Sequence, residues 1–178
     1  MTGRRLGTAL SLAALVALFA CGAVAQQASP GATPVPQSVR KIPAITAPDE
    51  YPRACVDCHV NLPEKKMDAR LSTLMAQWNK AVAPELLAKA QASAPQGTTL
   101  KGRHPKVGTA LGSIPARCMK CHTATSKTAP PFSRLIHRIH LVGGDKNEYL
   151  TQFQGDCTHC HKLNLETGAW TMPSGTEK

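Results

Sequence analysis

The sequence predicts a small, mainly α-helical domain with much irregular structure and few side chains available for a core. Only 4% of the 178 residues are aromatic, and apolar residues recur at helical spacing in few places. The clearest such stretch runs from residue 68 to residue 94, and Pro84 interrupts it. Within it, Leu71, Leu74 and Trp78 lie three or four residues apart, as on one face of a helix. Because a core of side chains alone would be thin, something else is expected to supply apolar bulk.

Residues 1 to 25 are predicted to be a secretory signal. Arg4 and Arg5 form its charged start, and an apolar run follows from residue 6 to residue 20. This run is shorter than the roughly 20 residues that a helix needs to span a bilayer. Small residues before Gln26 favour cleavage after Ala25. The mature chain is therefore expected in the periplasm or another extracytoplasmic compartment.

Cys21 leaves a second interpretation of the leader open. The residues around it resemble a bacterial lipoprotein signal ending before Cys21, in which the cysteine would be lipidated and become the first residue. Phe19 departs from that pattern, which prefers a small or β-branched residue at this position. Cys21 is also the odd cysteine among seven, which either lipidation or removal with the leader explains.

The rest of the chain divides by composition into a linker, a domain and a tail. Residues 26 to 52 contain six prolines and no apolar periodicity, which predicts an extended linker. The domain is assigned to residues 53 to 173. The chain after Met172 is expected to be frayed, and residues 174 to 178 are assigned as a tail.

One pattern, C-x-x-C-H, occurs three times in this domain, starting at Cys55, Cys118 and Cys157. It is the attachment pattern of c-type haem: two thiols add across the porphyrin vinyl groups, and the following histidine gives its imidazole to the iron. Chance would produce about 0.01 copies in a chain of this composition. The sequence therefore predicts a domain with three covalently attached haems. The predicted attachment residues are Cys55, Cys58, Cys118, Cys121, Cys157 and Cys160, and the predicted proximal iron ligands are His59, His122 and His161.

Three other kinds of cysteine site fit the pattern less well. A zinc site does not require a histidine directly after each cysteine pair. A thioredoxin-like redox pair lies in a βαβ pattern, which this sequence lacks. A disulfide framework suits an exported protein but leaves the three histidines without a role.

Three further histidines are candidates for the sixth ligand of each iron: His104, His137 and His140. The last two fall in a short helix predicted over residues 133 to 144, which ends at glycine. Residues three apart lie on adjoining parts of one helical face, so these two can reach different haems. His104 lies on a loop and is predicted to ligate the second haem. His159 lies inside the third C-x-x-C loop and is not expected to ligate its own haem; a neighbouring haem is the lesser alternative.

A methionine ligand is the alternative to histidine, and it would raise the potential of that haem. Each methionine also has a structural role open to it, and two of them fit the apolar side of the predicted helix better. Those two are Met67 and Met75, and the other candidates are Met119 and Met172.

The segment around His137 and His140, followed by the motif at Cys157, resembles class III multihaem cytochromes and the haem modules of larger outer-membrane multihaem cytochromes. The likeness is close only there, since the other two sites share only the motif itself. It implies a fold dominated by haem with little regular structure. It also implies that His137 ligates the third haem and His140 the first. The long gap between Cys55 and Cys118 departs from the class III pattern.

The chain is strongly basic, with 21 Lys and Arg against 11 Asp and Glu. Two interpretations stay open, because positive charge can offset haem propionates or steer an acidic partner or an anionic surface. Nucleic acid is not an expected partner, since no aromatic residues alternate with the basic ones and the leader directs the chain out of the cytoplasm.

The predicted function is electron transfer by three low-spin haems with two histidine ligands each. Filled axial positions leave no place for substrate, so an electron carrier is expected and an enzyme is not. The expected partners are periplasmic or membrane redox proteins, and a membrane tether at Cys21 stays open. The alternative is a small multihaem oxyanion reductase with an open position at the second haem, where His104 is the weakest assignment. A haem-based sensor is disfavoured because the chain has no output module.

Overall fold

The computed structural model describes residues 41 to 178. The predicted leader, Cys21 and most of the predicted linker lie outside these residues. Within them, no helix is both long and apolar enough to cross a membrane. The regular elements are helices α1 (Cys55–Cys58), α2 (Leu71–Lys80), α3 (Pro84–Ser93), α4 (Phe132–Leu141) and α5 (Glu148–Gln152), and strands β1 (Asn61–Leu62), β2 (Met67–Asp68), β3 (Lys162–Leu163) and β4 (Trp170–Thr171).

Five short 3₁₀ helices lie between these elements in the described residues, and long stretches of the chain there have no regular structure. The strands form two separate antiparallel pairs, β1 with β2 and β3 with β4. The prediction of a mainly α-helical fold with much irregular structure is therefore confirmed. The 3₁₀ helices are Pro63–Lys65, Gly108–Gly112, Cys118–Lys120, Gly144–Lys146 and Cys157–His159.

Pro84 separates α2 from α3, as the interrupted apolar pattern predicts. Proline is tolerated in the first turn because its missing N–H would have no partner there. The predicted start at residue 68 is too early, since Met67 and Asp68 pair with β1 as strand β2. The Asp68 carboxylate accepts hydrogen bonds from Arg70 and Thr73 and so holds the turn before α2. Met67 accordingly lies in a strand and not on the helix.

Helix α4 is held in place mainly by α3. Lys89 Nζ donates a hydrogen bond of 3.1 Å to the Ile139 carbonyl oxygen. The fully buried Ser93 hydroxyl lies 3.4 Å from the Arg134 carbonyl oxygen. Both hydrogen bonds end on backbone atoms of α4 and use none of its side chains.

The core of apolar side chains is very small. Apart from prolines, the buried hydrophobic residues in the described part of the chain are Ala54, Val56 and Ile114. Neither α2 nor α4 contains a buried residue. Helices of a stable domain normally bury one face, whereas the apolar faces of these two helices are only partly covered by residues 41 to 178.

The C-terminal segment is anchored, and the expectation that the chain frays after Met172 is wrong. Gly175 and Ile114 exchange two backbone hydrogen bonds, of 2.8 and 2.9 Å. Further on, Glu177 accepts a hydrogen bond from the Ser72 backbone N–H. The segment is held because glycine lets its backbone approach the buried core closely.

Substituting Gly175 with alanine is expected to destabilise the haem-loaded protein by about 1–3 kcal/mol, as overpacking of a core does. A Cβ atom at this position would lie 2.8 Å from Cγ2 of Val56, a fully buried side chain that would have to shift within the core. Denaturant unfolding measures the change. Gly112→Ala is the matched control, because its Cβ would meet only the Arg117 side chain at 3.6 Å. Equal stability of the two variants would contradict the packing argument.

The end of the predicted linker contacts the domain. Asp49 pairs with Lys162 at 2.9 Å. The ring of Tyr51 lies edge-on to His159 at 4.7 Å and to Phe153 at 6.2 Å. The packed part of the chain therefore begins before residue 53.

Candidate haem sites

The three C-x-x-C-H motifs adopt the same local conformation. Each begins with a single helical turn, formed by Cys55–Cys58, Cys118–Lys120 and Cys157–His159. In each, the histidine N–H donates to the carbonyl oxygen of the first cysteine, at 2.8, 3.1 and 2.8 Å in chain order. This turn brings the histidine back beside the cysteines, which is the arrangement that one porphyrin ring requires.

Each motif histidine lies next to one of the three other candidate ligands. The ring centroids are 6.0 to 6.1 Å apart in all three cases. The pairs are His59 with His140, His122 with His104, and His161 with His137. Each motif therefore has one partner histidine, and none is shared.

This spacing leaves room for one metal ion between the rings. With metal–nitrogen bonds of about 2 Å and a ring centroid about 1.1 Å behind the nitrogen, two imidazoles on opposite sides of a metal have centroids about 6.2 Å apart. Aromatic pairs in ordinary contact range more widely, over about 4.5–7 Å. Three independent pairs within 0.1 Å of each other fit the metal spacing.

Hydrogen bonds orient four of these rings. In each, Nδ1 lies 2.7 to 3.0 Å from a backbone carbonyl oxygen. A carbonyl oxygen can only accept, so Nδ1 carries the proton and Nε2 keeps its lone pair. Metal-ligating histidines usually have this second hydrogen bond. The carbonyls belong to Ala69 for His59, Pro105 for His104, Pro130 for His122 and Ile136 for His140.

Burial keeps two of the imidazoles neutral. It lowers the pKa of both His59 and His140, and desolvation is the largest cause in each case. A neutral imidazole has the free lone pair that a metal ligand needs. His137 and His161 make no hydrogen bond through Nδ1 to any described residue, so their orientation depends on packing.

A cavity of about 410 Å³ lies among the three sites, within the usual size range of ligand pockets. All three motifs contribute to its wall, through residues that include Cys55, His122 and His161. Phe132 and Ile136 of α4 also face this cavity. The apolar face of α4, which is not buried against protein, thus lines a space beside the cysteines and histidines.

The six cysteines of the described chain are free thiols, so no disulfide joins the motifs there. Burial, and next the neighbouring Cys160, raises the pKa of Cys55 to about 11 and that of Cys58 to about 12. Both thiols are therefore protonated at neutral pH in this fold. No group of three or more His, Cys, Asp or Glu within residues 41 to 178 is placed to hold a metal ion directly. Paired histidines and free thiols together fit c-type haem, whose porphyrin supplies the other four nitrogen ligands.

His159 and the four candidate methionines lie outside the three histidine pairs. The His159 side chain is only 9% exposed, and its described ring contacts are with tyrosine and phenylalanine, not with another histidine. Its Nδ1 atom has no hydrogen-bond partner among the described residues. Met119 and Met172 line the cavity, whereas Met67 and Met75 lie in β2 and α2.

Sequence reasoning missed the role of Asn147. This side chain is 5% exposed; its Nδ2 donates to the carbonyl oxygens of Ile139 and Val142, at 2.9 and 3.0 Å. Its Oδ1 accepts from the Tyr149 N–H at the start of α5. Asn147 therefore ties the end of α4, where His140 lies, to the next helix. The signal available in the sequence was an asparagine in the N-cap position before Glu148.

Comparison with known proteins assigns the family. Residues 44–162 match the family described as cytochrome c7 and related cytochrome c. The chain has no match among curated proteins or solved structures. The matched family consists of small multihaem electron-transfer proteins that bind c-type haem. The matched residues make up more than half of the chain and include all three motifs, so the prediction of a multihaem c-type cytochrome is confirmed. The chain belongs to the family of cytochrome c7 and related c-type cytochromes.

Proposed function

We propose that this chain is an exported electron carrier with three covalently attached haems, each held between two histidines. The cysteine pair of each motif would attach one haem, and the motif histidine would be its proximal ligand. The proposed axial pairs are His59 and His140 for the first haem, His122 and His104 for the second, and His161 and His137 for the third.

One observation carries this proposal: three separate histidine pairs, each containing one motif histidine, have the same centroid spacing of 6.0 to 6.1 Å. The partners come from two different parts of the chain, a loop and a helix. Packing of side chains alone gives no reason for three equal distances, whereas one metal ion per pair does.

When bound, the haems supply one-electron oxidation and reduction. The paired imidazoles would supply both remaining ligands of each iron, which would favour low-spin, low-potential centres and leave no position for substrate. Hydrogen bonds from Nδ1 to backbone carbonyls fix the orientation of His59, His104, His122 and His140. Little rearrangement is then needed when an electron arrives or leaves.

Helix α4 joins the first and third sites. His137 and His140 are three residues apart, and on a helix such residues have Cβ atoms about 5–6 Å from each other. Two sites ligated from adjoining turns of one helix must be close. This closeness supports electron transfer between the first and third sites. The haems are therefore better described as connected redox centres than as three independent ones.

We propose an extracytoplasmic location because residues 1 to 25 have the composition of a secretory signal. The partners would be periplasmic or membrane redox proteins. Lipidation at Cys21 would place the same domain on a membrane surface.

Intact mass and absorption spectroscopy of the purified mature protein test the proposal. We expect the mass of the chain plus three haems, a low-spin spectrum in both redox states, and no carbon monoxide binding after reduction. Replacing Cys118 and Cys121 by alanine is the control and should remove one haem. A high-spin ferric band or carbon monoxide binding by the unaltered protein would instead favour the reductase, with an open position on one iron.

A further inference from the structure

The charge of this protein is distributed very unevenly along the chain. Residues 86 to 144 contain nine Lys and Arg and no Asp or Glu. The other described residues, 41 to 85 and 145 to 178, contain nine basic residues against eleven acidic ones. All of the net positive charge of the described chain therefore comes from one segment, which includes the whole of the second haem site. The nine are Lys89, Lys101, Arg103, Lys106, Arg117, Lys120, Lys127, Arg134 and Arg138.

No acidic side chain of the described residues pairs with these positive charges. Within residues 41 to 178, the ion pairs involve only Asp49, Asp57 and Asp68, and none of their basic partners lies in the segment. Seven of its nine basic side chains are exposed, all except Lys89 and Arg138. Unpaired, exposed charges of one sign produce a field that extends into solvent.

The second site lies within the densest part of this charge. The contact between His104 and His122 brings the loop around residue 104 against the motif that starts at Cys118. Arg103 directly precedes His104 on one side of the site. Lys120 lies between the two cysteines on the other side. Both side chains are exposed, so each of the two segments that contribute a histidine to the second site also presents a positive charge to solvent.

The three attachment loops also differ in how far their residues are exposed to solvent, and the second loop is again the one that stands out. In the first motif, Val56 is fully buried, and the Asp57 carboxylate is paired with Arg53 and Lys178. In the third, Cys157 is exposed, but Thr158 and His159 between the cysteines are only 6% and 9% exposed. In the second, Met119 is 37% exposed, and Lys120 and Cys121 are exposed as well. A partner can therefore reach the two residues between the cysteines of the second motif, whereas in the other two motifs these residues are buried or, for Asp57, held in ion pairs.

We propose that the second haem site is the place where this protein exchanges electrons with its partner, and that the partner is a redox protein with an acidic docking surface. This inference rests on the proposed function, since it assumes a redox centre at each motif. Charge complementarity between the two surfaces would guide the encounter and raise the association rate. The exposed, uncovered loop would give the shortest route between the centres.

The test compares two double variants with the same change in net charge. Arg103→Glu with Lys120→Glu reverses the charge at the second site. Lys65→Glu with Lys146→Glu makes the same reversal at exposed positions outside the basic segment. Each reduced protein is oxidised by ferricyanide, an anion, and by hexaammineruthenium, a cation, at about 10 mM ionic strength, where charges act over roughly 30 Å. In each reaction one electron passes from the protein to the oxidant, which is reduced.

The measured quantity is the ratio of the ferricyanide rate to the hexaammineruthenium rate. A change in haem potential alters both rates in the same direction, so the ratio reports mainly the local charge at the exchange site. We expect the ratio for the Arg103 and Lys120 variant to fall about tenfold or more below that of the control variant, and the gap to close at high salt. Equal ratios for the two variants would overturn the proposal.

A second pair of substitutions and a protein probe complete the experiment. Lys101→Glu with Lys127→Glu avoids the residue next to His104 and should lower the ratio in the same direction. Reduction by flavodoxin, used as an acidic probe protein, should slow in both site variants but not in the Lys65 and Lys146 control. Equal slowing in all three variants would overturn the acidic-partner assignment.

Absorption spectra of the wild-type protein and of each variant are recorded before the rates are measured. A wild-type protein without three low-spin haems would overturn the proposed function, whereas equal ratios with normal spectra would overturn only the docking site.

Discussion

Replacing His140 by alanine is expected to convert one of the three haems, the one attached at Cys55 and Cys58, from low spin to high spin. His140 lies 6.1 Å from His59 and from no other motif histidine at this spacing, so its loss would open one axial position only. Electron paramagnetic resonance should show one new high-spin signal. Reduced protein should bind one equivalent of carbon monoxide.

The matching substitution on the next turn of the same helix should affect a different haem. His137 is paired with His161 at 6.0 Å, so His137→Ala is expected to open the third haem. The two variants can be told apart by removing one motif at a time. In a chain lacking Cys55 and Cys58, His140→Ala should add no high-spin signal, whereas His137→Ala still should.

His159→Gln provides the control for both variants. This histidine is buried beside Tyr51 and contacts no other histidine ring in the described residues, so all three haems should stay low-spin. The ligand scheme would be wrong if His137→Ala and His140→Ala changed the same haem, or if neither changed any. A high-spin signal from the His159 variant would also count against it.

The second large effect concerns the haem-free chain, which we expect not to fold. Ordering a domain of this size costs on the order of 100–200 kcal/mol of conformational entropy. Fully burying one apolar side chain recovers only about 1.5–3 kcal/mol. With Ala54, Val56 and Ile114 as the buried hydrophobic residues outside the prolines of the described chain, the haem faces must supply most of the apolar burial.

Expression of the mature chain in a compartment without haem attachment tests this expectation. Circular dichroism should show little helix, and amide NMR signals should lack dispersion, whereas the haem-loaded chain should show both. Removing one attachment site at a time should lower stability stepwise. Cooperative unfolding of the haem-free chain, with the helix content of the loaded protein, would refute the idea that haem forms the core.

Much of the local structure could be predicted because it depends on neighbours in sequence. The spacing of Leu71, Leu74 and Trp78 predicts α2, and proline at position 84 predicts the break before α3. The predicted start of α2 at residue 68 is too early, because Asp68 forms side-chain hydrogen bonds ahead of the helix. Such competition between a local turn and a helix is hard to weigh from residue types alone.

The anchored C-terminal segment could not be predicted. Its attachment depends on Gly175 meeting Ile114 and Val56, which are distant in the chain. The sequence near Gly175 does not indicate this contact, because a polar, glycine-containing C-terminal segment has the same composition whether it is frayed or packed against the domain. The same holds for Asn147, whose importance depends on where the carbonyl groups at the end of α4 point.

By itself, the sequence determined the chemistry of this protein. Each C-x-x-C-H motif contains two thiols and an imidazole within five residues, so one helical turn is enough to assemble an attachment site. The loop position of His104 and the likeness to class III cytochromes already predicted which motif each of the other histidines would serve. Only the tertiary structure decided that all three pairs share one ring spacing, and that the second motif is exposed within the basic segment. The physical reason is that hydrogen bonds within a turn act over a few residues, whereas these approaches depend on packing between distant parts of the chain.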